Sequence, residues 1–196
     1  MNIQVVKDEK RFKKEIYPSY KKDFPAAQRV PYSFLKRYRE DNTIKVLVLE
    51  NKDQWLGYCM VVEEKEYVLV YYIAILEKYR NLGYGSKFLD LLKKVYQKEK
   101  AIFLEVERQG YGKNEEENEL RRRRTQFYMR NGFKETNVVA RIWSTDYEIF
   151  AYCFQEIEKP DLAKQVWEAE EAIYQRFFSK SVVEKKVKLE FKASIY

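Results

Sequence analysis

A short turn with two glycines, within the stretch "YRNLGYGSKF" at positions 79–88, has the clearest chemical potential in the sequence. It follows an apolar, strand-like run and precedes a helical pattern, and Arg80 stands in front of Gly83 and Gly85. A strand that turns through glycine into a helix points several unpaired backbone N–H groups at one spot, where the positive end of the helix dipole also lies. Glycine lets an anion approach that backbone, and Asn81 tolerates the left-handed conformation as glycine does. The turn therefore predicts a cradle for a pyrophosphate.

Other phosphate-binding loops fit this turn less well. A Walker loop needs Gly-Lys followed by Ser or Thr, whereas "GYGSK" reverses the final order. The dinucleotide-binding fingerprint needs a third glycine at the position that Phe88 occupies. Two glycines after a strand are on their own typical of an ordinary turn, so the cradle needs support from the rest of the chain.

The absence of histidine limits the chemistry that the chain can perform. Ser-His-Asp triads, Cys-His pairs and the usual zinc ligand sets are excluded, and no metal site is expected. Acid–base chemistry must use Glu, Asp, Lys, Tyr, Cys or water. In "AIFLEVE", alternation places Glu105 and Glu107 on one face of a strand. These carboxylates are either functional groups or a solvated or salt-bridged strand face.

The hydrophobic pattern predicts alternating strands and helices in one α/β domain. The nearly continuous apolar run "YVLVYYIAIL", shortly before the glycine turn, predicts a central buried strand. The predicted strands are "NIQVV", "TIKVLVLE" and "WLGYCMVVEE" with a turn at "NKDQ" between the last two, then "YVLVYYIAIL", "AIFLEVE", positions 133–136, "STDYEIFAYCF" and an edge strand in "KVKLEF". The predicted helices are 9–22, 32–39, 86–98, 114–130 with Asn114 and Gly132 as caps, and 160–179. Residues 1–154 are expected to form the domain, and residues 155–196 a terminal helix and tail packed on it.

Composition favours a folded protein with an anionic partner. The chain has 196 residues, of which 45% are hydrophobic and 16% aromatic, enough for one domain with a substantial core. Lys plus Arg number 38 against 31 Asp plus Glu, and the formal charge is +7. Charges of both signs are interspersed, so nucleic-acid binding does not follow. A signal-peptide pattern and transmembrane-length runs are absent and Cys59 and Cys153 are expected to be free thiols, so a soluble cytoplasmic protein is expected.

The motifs together resemble one enzyme family. The stretch "IAILEKYRNLGYGSKFL" is similar to the acetyl-CoA-binding motif R/Q-x-x-G-x-G/A of the GCN5-related N-acetyltransferases (GNAT), at Arg80, Gly83 and Gly85. "QFYMRNGF", about forty residues on, resembles the second motif of that family, and "FPAAQRVPYSFL" resembles a helix-to-helix segment of a bacterial subset, in which glutamate is frequent at the position of Gln28. The resemblance extends from the N-terminus to about residue 154, and Asn81 departs from the glycine that is common there.

The resemblance implies a fold and a set of cofactor contacts. The expected fold is a GNAT-like mixed, mostly antiparallel central sheet flanked by helices, with a C-terminal helical extension. The co-substrate is expected to be acetyl-CoA, whose pantetheine arm pairs with the strand backbone and whose pyrophosphate lies in the cradle. The residues implied in these contacts are Ile73, Ala74, Ile75, Arg80, Asn81, Leu82, Gly83, Tyr84, Gly85 and Ser86.

The implied reaction is direct attack by a neutral primary amine on the acetyl thioester, with release of CoA thiolate. Tyr128 matches the tyrosine that the family uses as proton donor to the thiolate. An ordinary phenol can serve as this donor because it is protonated at neutral pH. Glu105 is the candidate base, and its alternative role is structural. Covalent catalysis through Cys59 or Cys153 is not expected, since neither has an identifiable activating base nearby. The run 121–124, four arginines, reaches either the 3′-phosphate of CoA or only solvent.

Several readings of the function and partners stay open at this point. The preferred function is N-acetyl transfer to a small-molecule or protein amine, and the alternative is a non-catalytic acyl-CoA-binding module of the same fold. A nucleic-acid-binding role is supported by charge alone and is not expected, nor is a membrane partner. The final helix is expected to cover a sheet edge or to support a homodimer. Aromatic and basic candidates for the acceptor region are Tyr17, Tyr20, Phe24, Arg29, Tyr32, Trp143 and Tyr147.

Overall fold

The computed structural model describes residues 1–52 and 54–192. Asp53 of the predicted "NKDQ" turn and residues 193–196 of the predicted tail lie outside the described residues. The strands are β1 Asn2–Val5, β2 Ile44–Asn51, β3 Gln54–Glu64, β4 Tyr67–Ile75, β5 Ala101–Glu107, β6 Lys134–Ile142, β7 Thr145–Cys153 and β8 Val187–Phe191.

These strands form an eight-stranded sheet in the order β1-β2-β3-β4-β5-β7-β6-β8. The β4–β5 pair is parallel, whereas the pairs β1–β2, β2–β3, β5–β7, β6–β7 and β6–β8 are antiparallel. The apolar run before the glycine turn is β4, an inner strand of the order, as predicted. The mixed, mostly antiparallel sheet with helices is the fold class that the sequence predicted, and this prediction is confirmed.

A helix is present in each range that the sequence predicted as helical, and the first range, 9–22, also contains a widened turn. The helices are α1 Glu9–Arg11, a π-helical turn Phe12–Ile16, α2 Tyr17–Asp23, α3 Tyr32–Glu40, α4 Tyr84–Val95, α5 Glu115–Arg130, α6 Lys159–Phe177 and α7 Lys180–Lys186. The widened turn ends at Ile16, two residues before Pro18, which has no N–H for the regular helical ladder. Asn114 caps α5 by accepting from the N–H of Glu117 at 2.9 Å, and Gly132 is left-handed with φ 83°, so both predicted caps are confirmed.

The contacts group the chain into two compact units, which are described separately. The first unit comprises Met1–Glu63 and Val70–Gln97, and the second comprises Glu64–Leu69 and Lys98–Tyr196. The boundary at residue 154 that the sequence suggested stays a prediction. Among the described residues, the helices are all too short or too polar to cross a bilayer.

The core of the first unit lies between the β2–β3 ladder and the helices of that unit. Val46 pairs with Met60 and Leu47 with Cys59, and all four side chains are buried. On α4, Phe88, Leu89 and Leu92 of the apolar side expected from the sequence are buried, whereas Val95, which was expected on the same side, is 53% exposed. Burial raises the pKa of the Cys59 thiol, so this thiol stays protonated at neutral pH.

The second unit contains an antiparallel ladder covered by the terminal helix α6. Leu162, Val166, Ile173 and Phe177 of α6 are buried, as their helical spacing predicted. The strand β6 is longer than the predicted positions 133–136, because it continues past an irregularity between Glu135 and Val139. The left-handed Asn137, with φ 66°, lies at that irregularity, and a polar residue there made the strand look finished. The predicted edge strand of the tail is confirmed as β8, whereas the short helix α7 was not predicted.

Candidate functional site

The glycine turn has the backbone geometry of an anion cradle. Asn81 and Gly83 are both left-handed, with φ of 62° and 77°. Gly83 is the N-cap residue of α4, and no side chain makes a capping hydrogen bond at this helix end. The N–H of Lys87 donates to the C=O of Gly83 at 3.2 Å, so the N–H groups of residues 84–86 precede the helical ladder. These N–H groups lie at the positive end of the dipole of a 12-residue helix.

The backbone, rather than packing, requires glycine at position 83. A Cβ added to Gly83 would meet no atom within 4 Å, but φ of 77° is unfavourable for a residue with a side chain. The space beside the turn is therefore open to a ligand. Leu82, between the two left-handed residues, is exposed. Asn81 thus adopts a left-handed conformation that asparagine tolerates better than most residues with a side chain.

Arg80 connects the start of the cradle to the end of α2. Its Nε donates to the C=O of Ile75 at 3.0 Å, and its guanidinium donates to Oδ1 of Asp23 at 2.6 Å. The hydroxyl of Tyr58 donates to Oδ2 of Asp23 at 3.0 Å. The Asp23 side chain is 6% exposed, against 48% for Arg80. Burial and the nearby charge of Asp23 raise the pKa of Tyr58, so the phenol keeps the proton that it donates.

The end of β4 carries the backbone that the resemblance assigns to the pantetheine arm. The parallel pairing of β4 with β5 covers Tyr67–Leu69, and the half-buried residues 73–75 lie beyond that register. On β3, a Cβ added to Gly57 would lie 2.5 Å from the carbonyl oxygen of Ala74 and 2.8 Å from Cδ1 of Ile75. Gly57 is thus required for the close approach of β3 to the end of β4, a role that was not predicted from the sequence.

A cavity of about 490 Å³ lies beside the end of β4 in the first unit. It is lined by Ser19, Lys22, Asp23, Leu76, Glu77 and Lys78. Lys22 and Glu77 form an ion pair of 2.5 Å in this lining. The cavity therefore combines charges of both signs with an apolar side chain, and it shares Asp23 with the Arg80 contact.

The aromatic candidates for the acceptor region in the first unit form one cluster. The rings of Tyr17 and Tyr32 meet edge to face, with centroids 5.0 Å apart, and the rings of Tyr20 and Phe24 are 5.7 Å apart. The Tyr20 hydroxyl accepts a hydrogen bond from the N–H of Val30 at 2.8 Å. These contacts hold the segment between α2 and α3, and Arg29 donates to the C=O of Lys21 at 2.8 Å.

Tyr128 lies on α5 of the second unit, in the second of the two resembled motifs. Its ring contacts those of Phe127 and Phe133, with centroids 5.2 and 6.0 Å apart. The backbone C=O of Tyr128 accepts from the N–H of Phe133 at 3.1 Å, which closes the helix before the next strand. The aromatic pair and the Gly-Phe step of the motif therefore build one turn, with Tyr128 half-buried beside it.

Glu107 is a salt-bridged residue. Arg124 donates to one of its oxygens, and Arg121 lies 3.7 Å from the other. Arg121 also donates to Glu117 at 2.7 Å. The other two arginines of the run are paired as well: Arg122 with Glu115 and Glu119, and Arg123 with Glu119. All four arginines therefore have acidic partners within the second unit.

Glu105 differs from Glu107 in its partners. The hydroxyl of Tyr174 on α6 donates to Oε1 of Glu105 at 2.6 Å. The carboxyl of Glu170, also on α6, lies beside that of Glu105. Glu170 was not among the site residues predicted from the sequence. Its signal was a charged residue among the apolar positions of α6, four residues after Val166.

The late hairpin places its two acceptor candidates in different surroundings. The ring of Trp143 contacts that of Phe178 edge to face, with centroids 4.9 Å apart. Tyr147 lies on β7 opposite Glu107, and burial followed by the charge of Glu105 raises its pKa. Trp143 thus packs against the segment after α6, and Tyr147 is close to the carboxylates of β5.

Comparison with known proteins supports the resemblance of the motifs. Residues 42–135 match the family described as "Acetyltransferase (GNAT) domain", a stretch that contains both motifs. None of the curated proteins compared with the chain matches its sequence.

Solved structures share the fold at low sequence identity. A putative acetyltransferase from the GNAT family of Bacteroides thetaiotaomicron has a TM-score of 0.73 and 17% identity, and the match covers 89% of this chain and 98% of that one. The ribosomal-protein-S18-alanine N-acetyltransferase of Escherichia coli has a TM-score of 0.55 and 15% identity, with 80% and 96% covered. An aminoglycoside 6′-N-acetyltransferase complexed with coenzyme A has a TM-score of 0.56 and 12% identity, with 81% and 99% covered.

Proposed function

We propose that this chain, whose residues 42–135 match the GNAT acetyltransferase domain, transfers an acetyl group from acetyl-CoA to a primary amine by direct attack. The observation that carries the proposal is the cradle, in which two left-handed residues lead into the uncapped N-terminus of α4. Two structures with the same fold are of N-acetyltransferases, one for a ribosomal protein alanine and one for an aminoglycoside. Their acceptors differ, so the proposal names the acceptor only as a small-molecule or protein amine.

The residues of the first unit fit acetyl-CoA. The N–H groups of residues 84–86 would hold the pyrophosphate, because they have no helical partner and lie at the positive end of a helix dipole. The remaining cradle residues, Arg80 to Gly83, would shape the turn around it, and Arg80 would do so through its contacts to Ile75 and Asp23. The backbone of residues 73–75 would pair with the pantetheine arm beyond the register that β4 shares with β5.

We assign the two proton transfers of the proposed reaction to two side chains of the second unit. Bound acetyl-CoA supplies the thioester that the amine attacks. In the proposed reaction, the Tyr128 hydroxyl donates its proton to the departing sulfur. Glu105 accepts the proton that the amine must lose, directly or through water. Glu107 is left out of the chemistry, because its carboxylate is neutralised by Arg121 and Arg124.

Cofactor binding and turnover are separate tests of this proposal. Calorimetry with acetyl-CoA and with free CoA is expected to show binding, and thiol release with spermidine, lysine and kanamycin as acceptors is expected to show turnover with at least one amine. Binding without turnover on a wider amine panel would favour the non-catalytic acyl-CoA-binding module.

A pair of glycine variants isolates the cradle. Gly83→Asp puts a carboxylate where the proposal places a pyrophosphate, and the affinity for CoA is expected to fall by about tenfold or more, because the like charges repel. Gly110→Asp is the matched control, since Gly110 is also left-handed with φ 80° and a Cβ there would also meet nothing within 4 Å. Equal CoA affinities of the two variants would remove the cradle from the proposal.

A further inference from the structure

Glu170 is an ionisable residue at a fully buried position. Its side chain is 0% exposed, on the face of α6 that packs on the second unit. Neither of its carboxyl oxygens has a hydrogen-bond donor as a partner within the described part of the chain. An ionised carboxylate is strongly disfavoured in such surroundings, because it has lost water and gained no donor. The position therefore favours the protonated acid.

The position of Glu105 next to Glu170 also favours protonation of one of the two carboxyl groups. The carboxyl of Glu105 lies beside that of Glu170, and two neighbouring ionised carboxylates would repel each other. If one of them is protonated, it becomes an O–H donor and the other an acceptor. Glu105 already accepts from Tyr174 at 2.6 Å and is only partly buried, so the charge is better placed on Glu105 and the proton on Glu170.

We propose that Glu170 is a positioning residue for Glu105: it keeps a proton at neutral pH, donates it in a hydrogen bond to the Glu105 carboxylate, and so holds Glu105 ionised and fixed. This inference rests on the proposed function, in which Glu105 takes the proton of the amine. When that proton arrives, Glu105 becomes neutral and Glu170 remains neutral, so the pair goes from one proton to two.

The directions of the pKa shifts agree with this geometry. Burial raises the pKa of Glu170 well above its usual range, and the charge and hydrogen bond of Glu105 raise it further. Burial also raises the pKa of Glu105, whereas the hydrogen bonds from Glu170 and Tyr174 lower it again. The charge of Glu105 also acts on Tyr147 of β7, and Arg121 and Arg124 on α5 act on Tyr147 as well. Glu170 is therefore the member of the pair that keeps its proton to the higher pH.

Three variants separate this role from plain packing. Glu170→Gln replaces the acid by a neutral donor of nearly the same shape. Glu170→Met keeps the volume and removes the donor. Glu171→Gln is the control, because Glu171 is the exposed neighbour on the same helix.

The first measurement is urea unfolding of the full chain between pH 5 and 9. The pKa of Glu170 is higher in the folded state than in the unfolded chain, so its contribution to stability is complete below the unfolded pKa and is lost as the pH rises through the folded pKa. As the pH rises, the unfolding equilibrium constant of the unmodified chain is expected to increase relative to that of Glu170→Gln, by up to about tenfold per pH unit. The Glu171→Gln variant is expected to follow the unmodified chain. The same pH dependence for the unmodified chain and Glu170→Gln would overturn the proposal.

The second measurement is acetyl transfer at pH 7, with the amine that gives turnover in the unmodified chain. Glu170→Met is expected to lower kcat about tenfold or more, while the KM for acetyl-CoA stays the same, and Glu170→Gln is expected to recover most of that loss. An equal loss in both variants would also overturn the proposal. If the pH effect on unfolding is present and no amine is acetylated, the shared proton stands and the proposed acetyl transfer fails.

Discussion

At the scale of single residues, two carboxylates on the same face of β5 have different neighbours and therefore different chemistry. Glu107 lies between two arginines and is neutralised as an ion pair. Glu105 receives a hydrogen bond from Tyr174 and lies beside a second carboxyl group. The strand alternation predicted that both would share a face, but it could not distinguish them. The distinction comes from the side chains of α5 and α6 that contact β5.

Tyr128 provides a residue-scale prediction. Tyr128→Phe keeps the ring contacts with Phe127 and Phe133 but removes the phenolic proton, so kcat is expected to fall about 10²-fold while acetyl-CoA affinity stays the same. Steady-state kinetics and calorimetry measure the two quantities. The matched control is Tyr152→Phe, since Tyr152 is a half-buried tyrosine of the same aromatic cluster. If both variants kept full turnover, Tyr128 would not be the acid.

At the scale of secondary-structure elements, the position of β4 depends on a glycine in its neighbouring strand. Gly57 on β3 faces the backbone of Ala74 at a distance that leaves no space for a Cβ. The same stretch of β4 continues into the Arg80 contact and the cradle before α4. The strand, the turn and the helix are therefore positioned as one continuous piece of the first unit.

The Gly57→Ala variant tests this dependence. The added methyl group would push the end of β4 away, and the free energy of unfolding is expected to fall by about 1–3 kcal/mol, as for other overpacked sites. The affinity for CoA is expected to fall as well, because residues 73–75 would be displaced. Denaturant unfolding and calorimetry measure these effects.

Gly110→Ala is the control for that variant. It forces a side chain into a left-handed position without any close contact, so it is expected to cost about 1 kcal/mol and to leave CoA affinity unchanged. A Gly57→Ala chain that binds CoA as tightly as the control would show that β3 does not set the position of the strand end.

The sequence predicted the elements and the left-handed turn before α4 because both are local patterns. Apolar runs, caps and glycine spacing act between neighbours in the chain, and Asn81 and Gly83 have the left-handed backbone that their residue types favour. The sequence did not identify the partners, since Asp23 meets Arg80 across 57 positions and Tyr174 meets Glu105 across 69. Such contacts are set by packing of distant elements, and no local pattern specifies them.

At the scale of the whole molecule, each of the two units carries a carboxylate with a lowered pKa. In the first unit, burial alone would raise the pKa of Glu9, but hydrogen bonds from Tyr32 and Arg39 outweigh this and lower it. In the second unit, the backbone N–H of Lys113 and then Arg121 lower the pKa of Glu117. Both units are therefore expected to respond to acid in the same direction.

The resulting prediction concerns acid unfolding. The pKa values of Glu9 and Glu117 are lower in the folded state than in the unfolded chain, so their contribution to stability is present above the unfolded pKa and is lost as the pH falls through the folded pKa. The urea midpoint is expected to decrease between about pH 5 and pH 3. Glu9→Gln is expected to reduce this decrease, and Glu15→Gln is the control, because Glu15 is an exposed carboxylate of the same helical segment. Identical acid profiles for Glu9→Gln and the unmodified chain would show that Glu9 makes no such contribution.

The pairing of β8 with β6 has a practical consequence for work with shortened chains. β8 covers positions 138–142 of β6 through five residue pairs. A chain cut before Val187 would expose those amide and carbonyl groups as a ready template for strand addition between molecules. Preparations that lose the tail to proteolysis would then self-associate, and their precipitate would resemble that of a badly folded chain.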